Sequence, residues 1–284
     1  MKKSIIYSIG IIVSLFSLCS CEKEIDLGLD KLEPKVVVEG GIIEGQTARL
    51  QVKYTKVYTE EMFCDQIDEY STPVRNAVVT LIENGDVEEV LQEKEFGFYE
   101  GINLKGKENS TYTLKIEKDG KTIQGSCHLS KSVKIDNVKI IKDEKGKMSM
   151  HAFWKDPQDH TNYYRLNIKY KYINSITGEK GEKEIPRIYL FSDNQFNGQQ
   201  IDYIFEDNPL AAMDYYYNVE EYIIELQSID PTVYDFLRNV RKVQEGNNGT
   251  TFMKAPGNPP TNLSDGCGGV FNAYSFTSTS IKIK

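Results

Sequence analysis

The segment Tyr112-Thr113-Leu114-Lys115-Ile116-Glu117-Lys118-Asp119-Gly120-Lys121-Thr122-Ile123-Gln124-Gly125-Ser126 decides the fold class. Tyr112, Leu114 and Ile116 alternate with Thr113, Lys115 and Glu117. That is the period of a strand with one face buried and the other in water. Asp119-Gly120 stands where the first run stops and the second begins. A two-residue hairpin turn needs positive φ at both turn positions, and Asp-Gly adopts it at little cost, so the segment predicts an antiparallel hairpin.

The same signature recurs on both sides of this hairpin. Lys35 to Gly40 is a short β-branched run, Arg49 to Tyr54 sets Leu50, Val52 and Tyr54 opposite Arg49, Gln51 and Lys53, and Ala77 to Glu83 is closed by Asn84-Gly85. Residues 35–130 are therefore expected to form one β-sandwich of the immunoglobulin or fibronectin kind. Leu129-Ser130-Lys131-Ser132 reads as a boundary, and a second β region is expected over 131–284. There, Val133 to Lys142 and Met148 to Trp154 flank Glu144-Lys145-Gly146. Tyr164, Leu166, Ile168, Tyr170 and Tyr172 share one face of a long strand, with Arg165, Asn167, Lys169 and Lys171 on the other. Ile188 to Phe191, Tyr222 to Gln227 and Phe271 to Phe276 are further strands, the last placed to close a sheet.

One short helix is expected over about 231–243. Asp230-Pro231 supplies an N-cap and a first-turn proline, and Val233, Phe236, Leu237 and Val240 form one stripe. Its expected role is to plug the open end of a sandwich, with presentation to a partner protein as the alternative. A long Gly/Pro/Asn-rich loop follows over 246–269. The whole reads as all-β: two consecutive β-sandwich regions with one helix in the C-terminal half.

Composition agrees. Tyr occurs 18 times against one Trp, and Tyr, Val, Ile and Thr favour pleated, half-buried surfaces. The net charge of −8 argues against nucleic-acid partners.

The N-terminus carries an address. Met1-Lys2-Lys3 precedes an apolar run from Ile5 to Leu18, too short for the ~20 residues of a permanent membrane helix. Leu18-Cys19-Ser20-Cys21 resembles the bacterial lipobox. That resemblance implies a signal peptide over 1–20, cleavage before Cys21, a diacylglycerol on its thiol and a further chain such as palmitate on its amine. Two or more acyl chains anchor firmly, at ~0.8 kcal/mol per buried methylene. Residues 21–34 then form a tether, and without Lys2 and Lys3 the mature net charge falls to about −10. Glu22-Lys23-Glu24-Ile25-Asp26 resembles the surface-export signals of Bacteroidota lipoproteins, which favours the cell surface over the periplasmic leaflet; a solvated leash is the alternative reading.

Catalytic patterns are missing from the sequence. His128, His151 and His160 belong to no HExxH motif, and neither a G-x-S-x-G elbow nor a P-loop occurs. Cys64, Cys127 and Cys267 show no metal spacing, and either one disulfide with a free thiol or three thiols fits the count. Cys127 and His128 are neighbours on a strand and face opposite ways, so a structural Cys127 is expected. Asp156, Asp159 and His160 read as a polar turn rather than a metal site. Asp193, Gln195, Asn197 and Gly198 begin like a calcium loop, but its twelfth position is Ile204 where a Glu is needed, so a turn is expected there too. The reading is a non-enzyme with no catalytic residue, metal or cofactor. The candidates for ligand or partner contact are Tyr215, Tyr216 and Tyr217, and Pro259, Pro260 and Asn262 in the long loop.

The order of several pieces carries a resemblance. They are Cys21 to Leu27, Pro34 to Gly40, Pro73 to Thr80, Gly97-Phe98-Tyr99, the hairpin Thr111 to Ile123, Asp156-Pro157 with Asn162 to Arg165, Ser228-Ile229-Asp230 with Tyr234, Asn258 to Asn262, and Gly268 to Phe271. Together the mature chain resembles the Bacteroidota lipoproteins called domain of unknown function 4249, often encoded beside TonB-dependent receptors. The resemblance transfers no catalytic residue. It implies the outer membrane and a TonB-dependent receptor as company, with a role in nutrient capture or receptor gating. The alternative is a structural or adhesive envelope lipoprotein.

Overall fold

In the computed structural model, residues 34–55, 72–158, 160–205, 216–246, 259–264 and 266–283 are described. The signal peptide, Cys21, the tether up to Glu33, Cys64, Asp159 and Tyr215 lie outside them, as do residues 247–258 and 265 of the loop.

The hairpin that decided the fold class forms as expected. Strand β7 (Ser110–Lys118) pairs with β8 (Lys121–Leu129) in a register that sets Lys118 opposite Lys121. Both turn residues have positive φ, 50° at Asp119 and 77° at Gly120. Strands β3 (Val78–Glu83) and β4 (Val87–Val90) complete a four-stranded sheet in the order β4-β3-β7-β8. A three-stranded sheet, β14-β10-β9, is built from β9 (Ile135–Lys142), β10 (Met148–Lys155) and β14 (Gln200–Ile204).

Both small sheets share their cores with one long sheet. Its path uses β1 (Val36–Ile43), β2 (Thr47–Tyr54), β5 (Gln92–Glu93), β6 (Phe98–Lys105), β11 (Tyr163–Asn174), β12 (Lys180–Glu184), β15 (Tyr217–Ser228) and β17 (Asn272–Lys282). They run in the order β12-β11-β15-β17-β1-β2-β6-β5, with β13 (Tyr189–Ser192) added on β11 and β16 (Gly268–Gly269) on β1. Val38, Leu50, Val52 and Tyr99 from the long sheet meet Leu81, Tyr112 and Leu114 from the four-stranded one. Tyr164, Ile168, Ile224 and Leu226 meet Val138, Met150 and Trp154 in a second core. Among the described residues the architecture is all-β and sandwich-like, with one α-helix.

The joint between the regions is the last strand. Residues 272–274 of β17 run parallel to β1, and residues 275–282 run antiparallel to β15. One strand thus extends the sheet over both cores, and Pro34–Lys284 is one compact unit. The segment 129–132 passes from β8 to β9, but the sheet does not end there. The parallel contact is close: a Cβ on Gly41 would fall 1.7 Å from the backbone oxygen of Asn272, so only glycine fits.

The helix, α1 (Pro231–Gly246), runs slightly longer than expected. The Asp230 carboxylate accepts the N–H of Thr232 at 2.8 Å, as an N-cap should, and also that of His128 on β8 at 3.2 Å. Val233 is buried, and Tyr234, Phe236 and Leu237 lean on the first core.

Candidate binding surfaces

The strand β11 separates two chemistries by face. On the odd face, Lys169 pairs with Glu225 at 2.7 Å and Lys171 with Glu221 at 2.9 Å, forming a charged ladder against β15. On the even face, Tyr164, Leu166 and Ile168 are wholly buried, and the row ends in half-buried Tyr170 and Tyr172. Here the core gives way to an aromatic surface. Tyr170 lies 6.3 Å from Tyr222 and 5.9 Å from Tyr172, and Tyr172 lies 4.2 Å from Tyr217, ring centre to ring centre. Lys183 of β12 donates to the Tyr217 hydroxyl at 2.5 Å, with its ammonium 4.0 Å from the Tyr217 ring centre and 5.5 Å from that of Tyr172. The Tyr217 hydroxyl holds Lys183 above the usual lysine pKa. Gly181 makes this possible, because it lies opposite Tyr172 and leaves room for its ring.

Of the expected contact residues, Tyr217 lies in this ladder and Tyr216 stands beside it, 49% exposed. The loop candidates do other work. Asn262 donates from Nδ2 to the carbonyls of Ser126 (3.0 Å) and Phe271 (2.7 Å), and its Oδ1 accepts the Phe271 N–H at 3.0 Å. Leu263 is buried in the first core and bridges to Gly125. These contacts make Asn262 a staple between β8 and the approach to β17. Pro260 is exposed and Pro259 half-buried just before it.

Cys127, His128 and Asp156 each make defined contacts within the fold. Cys127 is buried, its sulfur accepts the Ala273 N–H at 3.2 Å, and burial, with Asp230 nearby, drives its thiol pKa far up. His128 instead meets the Thr111 hydroxyl at 3.2 Å on the exposed side. A buried thiol held protonated is not a nucleophile. Cys267 is buried and is not joined to Cys127. Asp156 is buried and accepts the Tyr164 hydroxyl at 2.7 Å and the Gly198 N–H at 3.0 Å. Burial raises its pKa and the buried Asp193 carboxyl adds to the rise, while those two donors oppose it. Asp193 accepts both the backbone and side-chain N–H of Asn162. This carboxyl pair and its donors tie the turns before β11 and after β13 together. Among the described residues no group of three His, Cys, Asp or Glu could hold a metal ion.

One feature escaped the sequence reading. Phe96 is 61% exposed and has φ of +56°, a left-handed conformation that is rare for a bulky residue. It stands on the rim of an open cleft of about 800 Å³ that Arg49, Arg75, Lys94 and Phe98 also line, together with Glu93, Glu95 and Glu100. The only local hint is the neighbouring Gly97, whose φ is also positive, at +74°. Among the described residues no helix is long and apolar enough to cross a membrane.

Comparison with known proteins gives a family and little else. The family model described as "Domain of unknown function (DUF4249)" matches residues 22–280. No curated protein matches the chain. Among solved structures, a DUF4785 family protein from Legionella pneumophila subsp. pneumophila str. Philadelphia 1 is 13% identical, with 68% of this chain and 52% of that one covered and a TM-score of 0.23. InvD of Yersinia pseudotuberculosis is 10% identical, with 71% and 65% covered and a TM-score of 0.20. The aligned part spans about half to two thirds of those chains, and neither likeness bears on function.

Proposed function

We propose that this chain, which belongs to the DUF4249 family, is a non-enzymatic outer-membrane lipoprotein that assists a TonB-dependent transporter. It is anchored through Cys21 and acts by binding, in nutrient capture or in gating the receptor. The lipobox-like Leu18-Cys19-Ser20-Cys21 supports the anchor, and the acidic tether supports display at the cell surface.

The observation that carries the binding role is the aromatic surface of Tyr170, Tyr172 and Tyr217 with Lys183, next to which exposed Tyr216 stands in the chain. Aromatic side chains present large contact area at small entropic cost, and tyrosine adds a polar tip. A cation beside them adds attraction for a π-rich or acidic partner face. Gly181 keeps this surface open where a side chain would crowd Tyr172.

A photo-crosslinking residue placed at Tyr216 tests this in living cells. The expected adduct joins the lipoprotein to an outer-membrane β-barrel. Adducts to lipid alone, or to no partner, would overturn the reading.

A further inference from the structure

We propose that Ser149, His151 and Asp202 form a nucleophile, its base and a positioning carboxylate, and that Ser149 is a modification site that takes an acyl group from an activated ester. The site lies on the three-stranded sheet and does not rest on the tyrosine surface.

The alternation of β10 decides which side chains meet. Met150, Ala152 and Trp154 point into the second core, so Ser149, His151 and Phe153 share the outer face. The register sets Ile141, Lys139 and Asn137 of β9 opposite Ser149, His151 and Phe153. On the other side it sets Ile204 and Asp202 of β14 opposite His151 and Phe153. His151 thus sits at the centre of a small lattice, and it is buried there. No motif announces the trio, because Asp202 lies 51 residues beyond His151.

The hydrogen bonds run in one direction. The Asp202 carboxylate only accepts and lies 2.7 Å from His151 Nδ1, so that nitrogen carries the proton. In the neutral ring Nε2 then holds a lone pair, and Ser149 Oγ donates to it at 2.9 Å. The Ile141 carbonyl, at 3.4 Å, is the weaker competitor for the same hydroxyl proton. The Phe153 ring lies nearly parallel to the imidazole, 13° off and 6.0 Å between centres, and supports its plane. A serine hydroxyl aimed at an imidazole that a carboxylate orients is the arrangement that activates serine as a nucleophile.

The surroundings suit a small acyl donor. Ser149 is half-buried, while Ile141 beside it and Ile204 beside His151 are 38% and 55% exposed. These two side chains flank the hydroxyl with apolar surface for a short aliphatic chain. Lys139 is exposed on the same face, with its ammonium 5.4 Å from the Phe153 ring centre, and supplies a cation for charge developing on the acyl oxygen.

In the step itself, Ser149 Oγ bonds to the carbonyl carbon of the ester, and the bond from that carbon to the leaving oxygen breaks. The hydroxyl proton passes to His151 Nε2 and from there to the leaving oxygen. Asp202 keeps its hydrogen bond to Nδ1 and faces the transient imidazolium. Strand β10 is the middle one of three, so its backbone N–H groups are committed to β9 and β14 and do not cradle an oxyanion. Loss of the acyl group to water is therefore slow, and the outcome is a lasting ester on Ser149 rather than turnover.

The test mixes the full chain in detergent with p-nitrophenyl acetate, follows p-nitrophenol by absorbance and locates the acetyl group by peptide mass spectrometry. A burst of about one equivalent is expected, with the acetyl on Ser149. Ser149→Ala should abolish it, and His151→Gln should slow it about 100-fold, the share of a general base. Asp202→Asn changes a half-exposed side chain. Its amide can donate to Nδ1 and turn the ring to the other tautomer, so the burst should slow at least ten-fold. Nitrogen NMR of the His151 ring should show that switch, which a merely structural Asp202 would not cause. Trp154 fluorescence confirms that the core of each variant is intact. Acetyl on lysines with none on Ser149, or a Ser149 rate unchanged in His151→Gln or in Asp202→Asn, overturns the proposal.

Discussion

Replacing Gly181 with alanine would disturb the tyrosine surface without touching any of its side chains. The added Cβ would sit 2.6 Å from the Tyr172 Oη and 2.7 Å from its Cζ. Normal carbon contacts are about 3.5–4.0 Å, so the ring end must retreat by about 1 Å. The tip of a tyrosine can do this by rotating its own torsions, whereas the β11–β12 backbone pairing can stay as it is. Two energies then oppose each other. Glycine within a strand costs about 0.5–1 kcal/mol relative to alanine. Loosening the Tyr172–Tyr217 pair, now at 4.2 Å, costs about 0.5–1.5 kcal/mol. The net change lies within about 1 kcal/mol, a shift in Tm of no more than about 4 °C for a unit of this size. The fold should survive while the surface changes. Ring-proton NMR signals of Tyr172 and Tyr217 are expected to move towards random-coil positions as their mutual ring currents weaken, and recovery of the partner should fall. Unchanged ring signals would refute the close packing assigned to Gly181. A Tm loss beyond 8 °C would show that the backbone, not the ring, had moved.

Three further outcomes are expected. Cys21→Ala should move the protein from the membrane to the soluble fraction, and undiminished membrane retention would refute the anchor. The raised Asp156 pKa means that the folded state holds a proton the unfolded chain has already released. Wild-type stability should therefore fall as pH rises from about 4 through the raised value. Asp156→Asn should flatten that part of the profile in denaturant titrations, and an unaltered slope would place the proton elsewhere. Asn262→Ala removes three hydrogen bonds that hold Ser126 and Phe271. At about 1 kcal/mol each, the loss is about 3 kcal/mol in a chemical unfolding curve, and a loss under 1 kcal/mol would show that the staple is dispensable.

The parts legible in the sequence were those fixed locally. Asp119-Gly120 specified its hairpin through φ alone, the alternation from Tyr164 to Tyr172 specified the faces of β11, and Asp230-Pro231 marked where the helix starts. What escaped depended on distant partners. The shared long sheet rests on β17 reaching β1, a parallel pairing that neither strand's pattern announces. The path from β4 to β6 was missed because Gly101 and Asn103 interrupt the alternation, and because Glu89 replaces ladder partners by accepting the N–H groups of Ile102, Asn103 and Leu104. Strand β12 is polar throughout and carries no period to read. At the candidate sites, Tyr216 and Tyr217 stood out as an aromatic run, but Tyr172, Gly181 and Lys183 join them only across the sheet. Asn262 was picked for its loop and proves to be a staple. Phe96 carries no periodic signal, since its exposure follows from a backbone conformation rather than from a pattern.

We propose that the chain serves a transporter through its tyrosine surface. Detergent purification of the tagged protein from its own membrane, followed by mass spectrometry of what accompanies it, tests this. Wild type should recover a TonB-dependent β-barrel, and the combined Tyr172→Ala, Tyr216→Ala and Tyr217→Ala variant, still anchored, should lose it. No barrel with wild type, or equal recovery with the variant, would contradict the claim.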